Sequence, residues 1–199
     1  MERITTVETA ASQYLTDVSS VKADLGITDS SEDAYLVRRV SEASALAARY
    51  CGRVFKSEVV TDRFYLDDLM PSLVLARFPV TAISSVTENG DAVASTEYRC
   101  DTETGILYRL DTDGNRVQWE ADTVVVAYTG GYTTIPADLD GAVIGLIKHM
   151  RASRRRDPSV RSVRVPDVIE TTFWVKGPGE SNLPPDIAGT LDLYRAARL

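Results

Sequence analysis

The chain has 199 residues and a formal net charge of −7, with 44% hydrophobic and 26% charged residues. This composition is typical of a globular protein with a packed core and excludes a disordered chain. No stretch approaches 18 consecutive apolar residues, so the sequence predicts no membrane span. The start Met1-Glu2-Arg3-Ile4 has no apolar segment after a basic residue, so we expect no secretory signal.

Synthesis inside the cell then predicts the state of the two cysteines. Thiols made in a reducing compartment usually stay free and pack as small apolar groups. We therefore expect Cys51 and Cys100 to be reduced and structural.

Residues 1–53 predict an N-terminal helical part. A short helix is expected over residues 18–25, with Gly26 at its C-cap. A longer helix follows over residues 32–51, with Ser30 or Ser31 as its N-cap and Gly52 at its end. The second helix carries one apolar stripe at helical spacing, made of Leu36, Val37, Val40, Ala43, Leu46, Ala47 and Tyr50.

Residues 54–130 change to a period of two, which predicts an inserted antiparallel β module. The predicted strands are residues 54–65, 72–76, 83–88, 98–100, 105–110, 116–120 and 123–128. Asn89-Gly90 and Asp113-Gly114 predict hairpin turns, because these residues tolerate positive φ. The predicted fold class is α+β, a small bundle of amphipathic helices with the β module inserted and a C-terminal tail helix.

Residues 131–165 predict the long helix that completes the bundle. Pro136 suits its start, since a missing N–H costs little in the first turn. Over residues 137–155 the apolar face consists of Leu139, Ala142, Val143, Leu146, Ile147 and Met150. Because this face complements that of the helix over residues 32–51, we expect the two helices to pack together.

Residues 166–199 predict a C-terminal strand, a linker and a docking helix. The strand is expected over residues 168–175 and contains Phe173 and Trp174. A Gly- and Pro-rich linker follows over residues 176–182. Pro184-Pro185 then begin a helix with Ile187, Leu191 and Tyr194 at helical spacing.

The charge of the chain is unevenly distributed. Residues 148–164 hold seven Lys/Arg and one Asp, a net charge of +6, so the remainder carries −13. The arginines are either a solvated helix end, a surface for carboxylates of a partner, or a contact to DNA phosphates. Outside this segment the acidic chain disfavours nonspecific nucleic-acid binding.

A search for catalytic motifs finds no phosphate-binding lysine loop, no paired-histidine helix and no nucleophile elbow. The single histidine, His149, has no metal-ligand partner at the usual spacing, so we expect a structural or surface role. We predict no enzyme, no cofactor and no metal site. A carboxylate site using Asp67 with Asp68 is the enzymatic alternative.

Two further segments resemble ligand loops superficially. In Asp111-Thr112-Asp113-Gly114-Asn115 the glycine comes fourth, whereas a calcium loop needs it sixth, so a hairpin turn is the better interpretation. Thr129-Gly130-Gly131-Tyr132 lacks the lysine of a nucleotide loop. We expect its glycines to let the chain leave an edge strand and turn toward the next helix.

The candidate partner-binding residues combine the basic segment with the apolar C-terminal residues. The tail either folds back onto its own domain or docks on another chain. The set is Arg151, Arg154, Arg155, Arg156, Phe173, Trp174, Leu183, Ile187, Leu191 and Tyr194.

Several segments, taken in order, resemble the head-to-tail connector (adaptor) proteins of long-tailed bacteriophages and gene transfer agents. They are Ala48-Arg49-Tyr50-Cys51-Gly52-Arg53-Val54-Phe55, Leu75-Ala76-Arg77-Phe78-Pro79-Val80, Val125-Val126-Ala127-Tyr128-Thr129-Gly130-Gly131-Tyr132 with Ile135-Pro136-Ala137-Asp138-Leu139, and Leu183-Pro184-Pro185-Asp186-Ile187. Each segment is a degenerate packing motif, and the resemblance depends on their order and spacing.

The resemblance implies a non-enzymatic virion protein at the head-tail interface, made in the cytoplasm of the bacterial host. It implies a ring of about twelve copies beneath the portal protein that extends the DNA channel, with passive DNA contact. Further partners would be a neck, tail completion or stopper protein, and residues 183–199 would dock on the portal. The alternative function is a nucleic-acid-contacting module that uses residues 151–164.

Overall fold

The computed structural model describes residues 1–9, 12–153, 162–165, 169–172 and 183–196. The fold is α+β, with helices and antiparallel sheets, as the sequence predicts. Residues 1–13 and 53–134 form one compact unit, the β unit, and residues 14–52 and 135–199 form a second, the helical unit. The division into four segments made from the sequence stays a prediction.

The described residues of the β unit form two antiparallel sheets. Its strands are β1 (Glu2–Thr9), β2 (Glu58–Tyr65), β3 (Leu73–Val74), β4 (Val80–Glu88), β5 (Asp91–Ala92), β6 (Tyr98–Asp101), β7 (Ile106–Leu110), β8 (Arg116–Val117) and β9 (Thr123–Gly130). The larger sheet, here the main sheet, has the order β1-β2-β9-β4-β5. The smaller sheet has the order β3-β7-β6, and β8 also pairs with β7.

Both predicted hairpin turns are confirmed. Asn89 and Gly90 have φ of 50° and 98° and connect β4 to β5. Gly114 has a φ of 82° in the turn between β7 and β8, where Asp111 N–H donates to the Asn115 carbonyl at 3.0 Å. Positive φ at these positions matches the turn chemistry that the sequence indicates.

Residues from both sheets share one core in the β unit. Along β9, buried residues alternate with partly exposed ones, as expected for a strand with one face in the core. Trp119 is fully buried in this core. The buried cluster consists of Val60, Phe64, Leu66, Leu73, Leu75, Val80, Val86, Leu107, Trp119, Val124, Val126 and Tyr128.

Two features of the main sheet differ from the sequence-based expectation. Residues 2–9, for which no element is predicted, form β1 and pair with β2. The prediction that Gly130 and Gly131 leave an edge strand is wrong, because β9 lies between β2 and β4 in the middle of the sheet. A strand pair such as β1–β2, separated by 49 or more residues, leaves no local turn signal.

The helical unit contains α1 (Val18–Leu25), α2 (Asp33–Cys51), α3 (Ala137–Ser153) and α4 (Pro185–Asp192). It also contains the antiparallel pair β10 (Ser162–Val165) and β11 (Ile169–Thr172). Helix α2 packs on α3, as predicted from their apolar faces, and α4 contacts both. Among the described residues, no helix is long and apolar enough to cross a membrane.

The helix ends agree with the sequence at their C-termini and differ at one N-terminus. Gly26 and Gly52 both have a φ of 67° and end α1 and α2 in the left-handed conformation, as predicted. The prediction of a serine N-cap for α2 is wrong. Glu32 occupies that position without a side-chain cap, and Ser31 instead donates to Asp29.

Candidate interaction surfaces

The apolar C-terminal residues lie inside the helical unit. Leu183, Ile187 and Leu191 are 3%, 6% and 1% exposed. Helix α4 presents Ile187 and Leu191 four residues apart, which places both on one helix face. As the structure places it, this face is covered by the chain's own helices.

Hydrogen bonds around α4 add to this packing. The Tyr194 hydroxyl donates to Asp138 Oδ1 at 2.6 Å, and the Ala196 N–H donates to the Cys51 carbonyl at 2.9 Å. The Tyr50 hydroxyl donates to Asp192 Oδ1 at 2.8 Å, and this hydrogen bond raises the pKa of Tyr50. The segment after α4 is therefore tied to both long helices.

Two cations of the basic segment, Lys148 and Arg151, are paired with acids of the helical unit. Arg151 donates from Nε to Glu32 Oε2 at 2.9 Å and from Nη2 to Glu32 Oε1 at 3.2 Å. This bidentate hydrogen bonding with Glu32 raises the pKa of Arg151. Lys148 Nζ lies 2.5 Å from Asp24 Oδ2. The charges of Arg151 and Lys148 are thus matched within the unit.

Five of the predicted partner-binding residues lie outside the described residues. They are Arg154, Arg155, Arg156, Phe173 and Trp174. Arg151 is the one arginine of the predicted partner-binding set whose contacts the described residues show. The structure brings Leu183, Ile187, Leu191 and Tyr194 together around α4.

The outer side of α2 forms an open groove that the sequence does not predict. Tyr14 and Val37 line it and are 44% and 47% exposed. Val37 belongs to the predicted apolar stripe but lies at its edge, one position beyond the buried Leu36, so it points outward. Arg38 contributes a positive charge to this groove and to a second one beside α3, where Met150 also lies.

The core of the β unit contains a buried carboxylate. Asp62 is fully buried, and its Oδ2 accepts hydrogen bonds from the Tyr128 hydroxyl at 2.8 Å and from the Ala76 N–H at 2.7 Å. Its Oδ1 accepts from the Thr5 hydroxyl at 2.5 Å. Burial, followed by the nearby charge of Asp62, raises the pKa of Tyr128. These bonds satisfy the carboxylate within the protein, so it serves as a structural tie.

The same network continues through an ion pair. The Arg77 N–H donates to the Tyr128 hydroxyl at 2.9 Å, and Arg77 Nε donates to Glu58 Oε2 at 2.8 Å. Glu58 Oε1 accepts from Gln13 Nε2 at 2.7 Å. The network therefore joins β2, β9 and the segment after β3. The sequence of β2 indicates the buried acids of this network, because Glu58 and Asp62 occupy the same alternating positions as the core residues Val60 and Phe64.

The last residue of β9, Gly130, and the glycine that follows it, Gly131, serve close packing of backbone. A Cβ on Gly131 would lie 2.4 Å from the Lys56 carbonyl oxygen, and Gly131 has a φ of 105°. A Cβ on Gly130 would lie 2.5 Å from the Arg77 carbonyl oxygen. Arg53 stacks beside them, 3.7 Å from the centre of the Phe78 ring. Backbone atoms of neighbouring segments pack directly against both glycines, so the glycines provide no space for a nucleotide.

The carboxylates considered for enzymatic or calcium chemistry lie in exposed turns. The side chain of Asp67 is 81% exposed and its Oδ2 accepts from the Met1 ammonium at 3.0 Å. Asp111 Oδ1 accepts from the N–H groups of Asp113 and Asn115, both at 2.9 Å, and the Asn115 bond holds the pKa of Asp111 below its usual value. Among the described residues, no three His, Cys, Asp or Glu side chains are grouped to hold a metal ion.

The two units differ in charge. The β unit contains 8 Lys/Arg and 15 Asp/Glu, a net −7, whereas the helical unit contains 14 of each. The whole net charge of the chain therefore resides in the β unit. An acidic unit of this kind disfavours phosphate contacts.

The fold has relatives among solved structures. The chain is 17% identical to a chain of the neck of an empty gene transfer agent particle computed with C6 symmetry, with a TM-score of 0.59. It is 16% identical, with a TM-score of 0.56, to a chain of the neck of a native particle computed with C12 symmetry. In both cases the match covers 98% of this chain and 97% of the other. At these identities the likeness shows the fold alone.

A curated protein with significant sequence similarity is not found. The comparison with protein families finds a match over most of the chain. The model of the head completion protein family matches residues 14–197, which includes the whole helical unit as described and β2 to β9 of the β unit. The chain belongs to the head completion protein family.

Proposed function

We propose that the protein is a structural connector of a bacteriophage or gene transfer agent particle. It forms a ring beneath the portal, extends the DNA channel and joins the head to neck or tail components. The observation that carries this proposal is the family match over residues 14–197. The fold shared with necks of C6 and C12 symmetry supports an oligomeric ring, for which we propose twelve copies.

The distribution of charge supports passage of DNA without tight binding. With a net charge of −7 the β unit repels phosphates, so DNA that moves past it meets little resistance from ion pairing. The pairing of Lys148 with Asp24 and of Arg151 with Glu32 lowers the number of cations available to DNA. Both observations favour passive contact with packaged DNA.

Partner contacts are proposed at the end of α3 and beyond it. Arg154, Arg155 and Arg156 would pair with carboxylates of a neighbouring subunit or of the portal. Phe173 and Trp174 would supply the apolar anchors that interfaces favour. Because Arg38 lies in the groove beside Met150 and Ser153, this groove extends the proposed contact surface along α2.

Helix α4 contributes to docking in a different way. Leu183, Ile187 and Leu191 are buried in their own unit, so in this conformation they position the C-terminal segment and do not touch a partner. Tyr194 stays partly exposed and is fixed by its bond to Asp138. We propose that α4 holds the C-terminus in place for contact with the portal.

A deletion experiment tests the function. In particles produced without the protein, we expect filled heads and finished tails that are not joined, and adding the purified protein should restore joined particles. A variant with Arg154, Arg155 and Arg156 changed to Gln tests the proposed contact, with Arg38→Gln as a comparison in the groove. Joined, infectious particles in the absence of the protein would contradict the proposed function.

The second candidate function is a nucleic-acid-contacting module using residues 151–164. The net charge of +6 over residues 148–164 is the observation that favours it. Binding of the free protein to duplex DNA should then fall steeply with salt, with a slope that reports the number of phosphates contacted. Weak binding with a shallow salt dependence would exclude this function.

A further inference from the structure

The main sheet of the β unit has two open edges. Strand β1 is its first strand, and among the described residues no strand pairs with the outer edge of β1. At the other side, β4 pairs with β5 only at Thr87 and Glu88. Among the described strands, β9 is therefore the one that pairs with residues 81–85 of β4. Each edge presents backbone N–H and C=O groups that are able to pair with another strand.

The middle of β1 and the open part of β4 contain neither the charges nor the prolines that commonly protect such strands. The middle of β1 reads Ile4-Thr5-Thr6-Val7, and Ile4 and Val7 are 47% and 39% exposed. The open part of β4 reads Thr81-Ala82-Ile83-Ser84-Ser85 and contains no charged residue. Neither stretch therefore presents a charge that would repel an incoming strand.

Two of the three charged residues of β1, Arg3 and Glu8, are engaged within their own unit. Arg3 Nη1 donates to the Val74 carbonyl at 2.6 Å. Glu8 Oε1 accepts from the Thr61 hydroxyl at 3.1 Å. Both side chains are held against their own unit, so they leave the outer edge of β1 accessible.

Strand direction favours a contact between unlike edges. The strands β1, β2, β9 and β4 alternate in direction because each successive pair is antiparallel. Four alternating strands leave β1 and β4 running in opposite directions. Suppose that a rotation places a second copy beside the first and keeps the direction of its strands. The β1 of the second copy then runs antiparallel to the β4 of the first, and the antiparallel order of strands continues from one copy to the next.

We propose that the outer edge of β1 in one copy pairs with residues 81–85 of β4 in the next copy, so that neighbouring subunits extend one another's main sheet. The inference rests on the proposed ring, since a head-to-tail contact between unlike surfaces closes a ring by rotation. Five paired residues span about 17 Å, which is an ordinary strand length.

The shape of β4 makes this edge selective. Its register against β9 shifts twice, between Val80 and Ala82 and between Ile83 and Ser85. Such irregularities bend a strand and discourage pairing with flat strands. The partner edge must match this curvature, which favours one fixed neighbour over indiscriminate aggregation.

Disulfide trapping in assembled particles tests the pairing. Ile4 and Thr6 of β1 lie on the same face of the main sheet as Ala82 and Ser85 of β4. Each double variant therefore combines one cysteine in β1, Ile4→Cys or Thr6→Cys, with one cysteine in β4, Ala82→Cys or Ser85→Cys. Opposed residues in an antiparallel pair are close enough for a disulfide. We expect at least one pair to give, on oxidation, a ladder of trimers and larger species. The matched control replaces the β4 cysteine with Thr112→Cys in the exposed β7–β8 turn.

The outcomes separate this inference from the proposed function. Particles that contain a ring of the protein but yield no ladder with any of the four pairs would overturn the strand pairing and leave the function intact. A ladder of equal intensity with Thr112→Cys would also overturn it. Dimers from Ile4→Cys alone, without larger species from any pair, would indicate a two-fold β1–β1 contact and contradict the head-to-tail pairing.

A charge at the edge provides a second test. Ala82 is exposed, so Ala82→Lys should leave the thermal unfolding midpoint of the free protein unchanged. We expect it to lower ring formation in particles at least tenfold relative to Thr112→Lys. Incorporation of Ala82→Lys at the level of the control would contradict the proposed pairing.

Discussion

Tyr128 on β9 donates a hydrogen bond of 2.8 Å to Asp62 on β2, and both side chains are fully buried in the core of the β unit. The two residues face each other diagonally across adjacent central strands of the main sheet. Because the Tyr128 hydroxyl also accepts from the Arg77 N–H, it connects the sheet to the segment after β3. We therefore expect the bond to contribute measurably to the stability of the unit.

Removing this hydroxyl should destabilise the β unit. Tyr128→Phe keeps the ring but leaves Asp62 and the Arg77 N–H each without one partner. The expected loss is about 1–3 kcal/mol of unfolding free energy, the usual result of leaving buried polar groups unsatisfied. Urea unfolding followed by the fluorescence of the buried Trp119 measures it. Tyr65→Phe on the exposed side of β2 is the control and should change the free energy by much less.

The same tyrosine predicts a loss of stability at alkaline pH. Burial beside Asp62 raises the pKa of Tyr128 in the folded protein, whereas the unfolded side chain titrates near its ordinary value of about 10. Above that pH the unfolded state releases a proton that the folded state retains, so the contribution of Tyr128 is complete below pH 10 and decreases as the pH rises further. The difference in stability between wild type and Tyr128→Phe should therefore shrink above pH 10. A constant difference from pH 8 to pH 11 would exclude this linkage.

The glycine at the end of β9 should be intolerant of a side chain. In Gly131→Ala the new Cβ would meet the Lys56 carbonyl oxygen, and the φ of 105° disfavours any L-residue. The backbone conformation alone should cost about 1–2 kcal/mol. Gly141→Ala in α3 is the opposite case, because no atom lies within 4 Å of the added Cβ, and it should gain about 0.5–1 kcal/mol. Thermal unfolding of both variants measures the contrast, and equal midpoints would contradict it.

The packing of α4 makes a prediction for the helical unit. Leu191 is 1% exposed, so Leu191→Ala removes a fully buried side chain and should cost about 2–5 kcal/mol. Leu193→Ala is a matched control two residues away, where the side chain is 79% exposed. Unfolding followed by circular dichroism at 222 nm should show the loss for Leu191→Ala only. A small effect at Leu191 would mean that α4 leaves the bundle in solution.

Local signals in the sequence predict much of the fold. Asn89-Gly90 marks a hairpin through its tolerance of positive φ, and Gly26 and Gly52 mark helix ends for the same reason. The helix stripes predict the packing of α2 on α3. Each of these features depends on residues that are close in sequence or on a clear periodicity.

Long-range pairing is not visible in such signals. Strand β1 pairs with residues more than 49 positions away, and the central position of β9 follows from the whole sheet. The buried Asp62 is also missed, since an acidic residue usually indicates exposure. Its position in phase with Val60 and Phe64 is the sequence feature that would reveal it. Of the predicted contact residues, the apolar ones on α4 are recognised as a cluster, but the sequence leaves open which chain covers them.

Electron microscopy of the purified protein mixed with its portal can show whether the protein forms the proposed ring. We expect a closed ring of this chain stacked coaxially on the portal, with the β units continuous around the ring. Portals that stay bare at saturating protein, or decorated by single copies without closure, would contradict it.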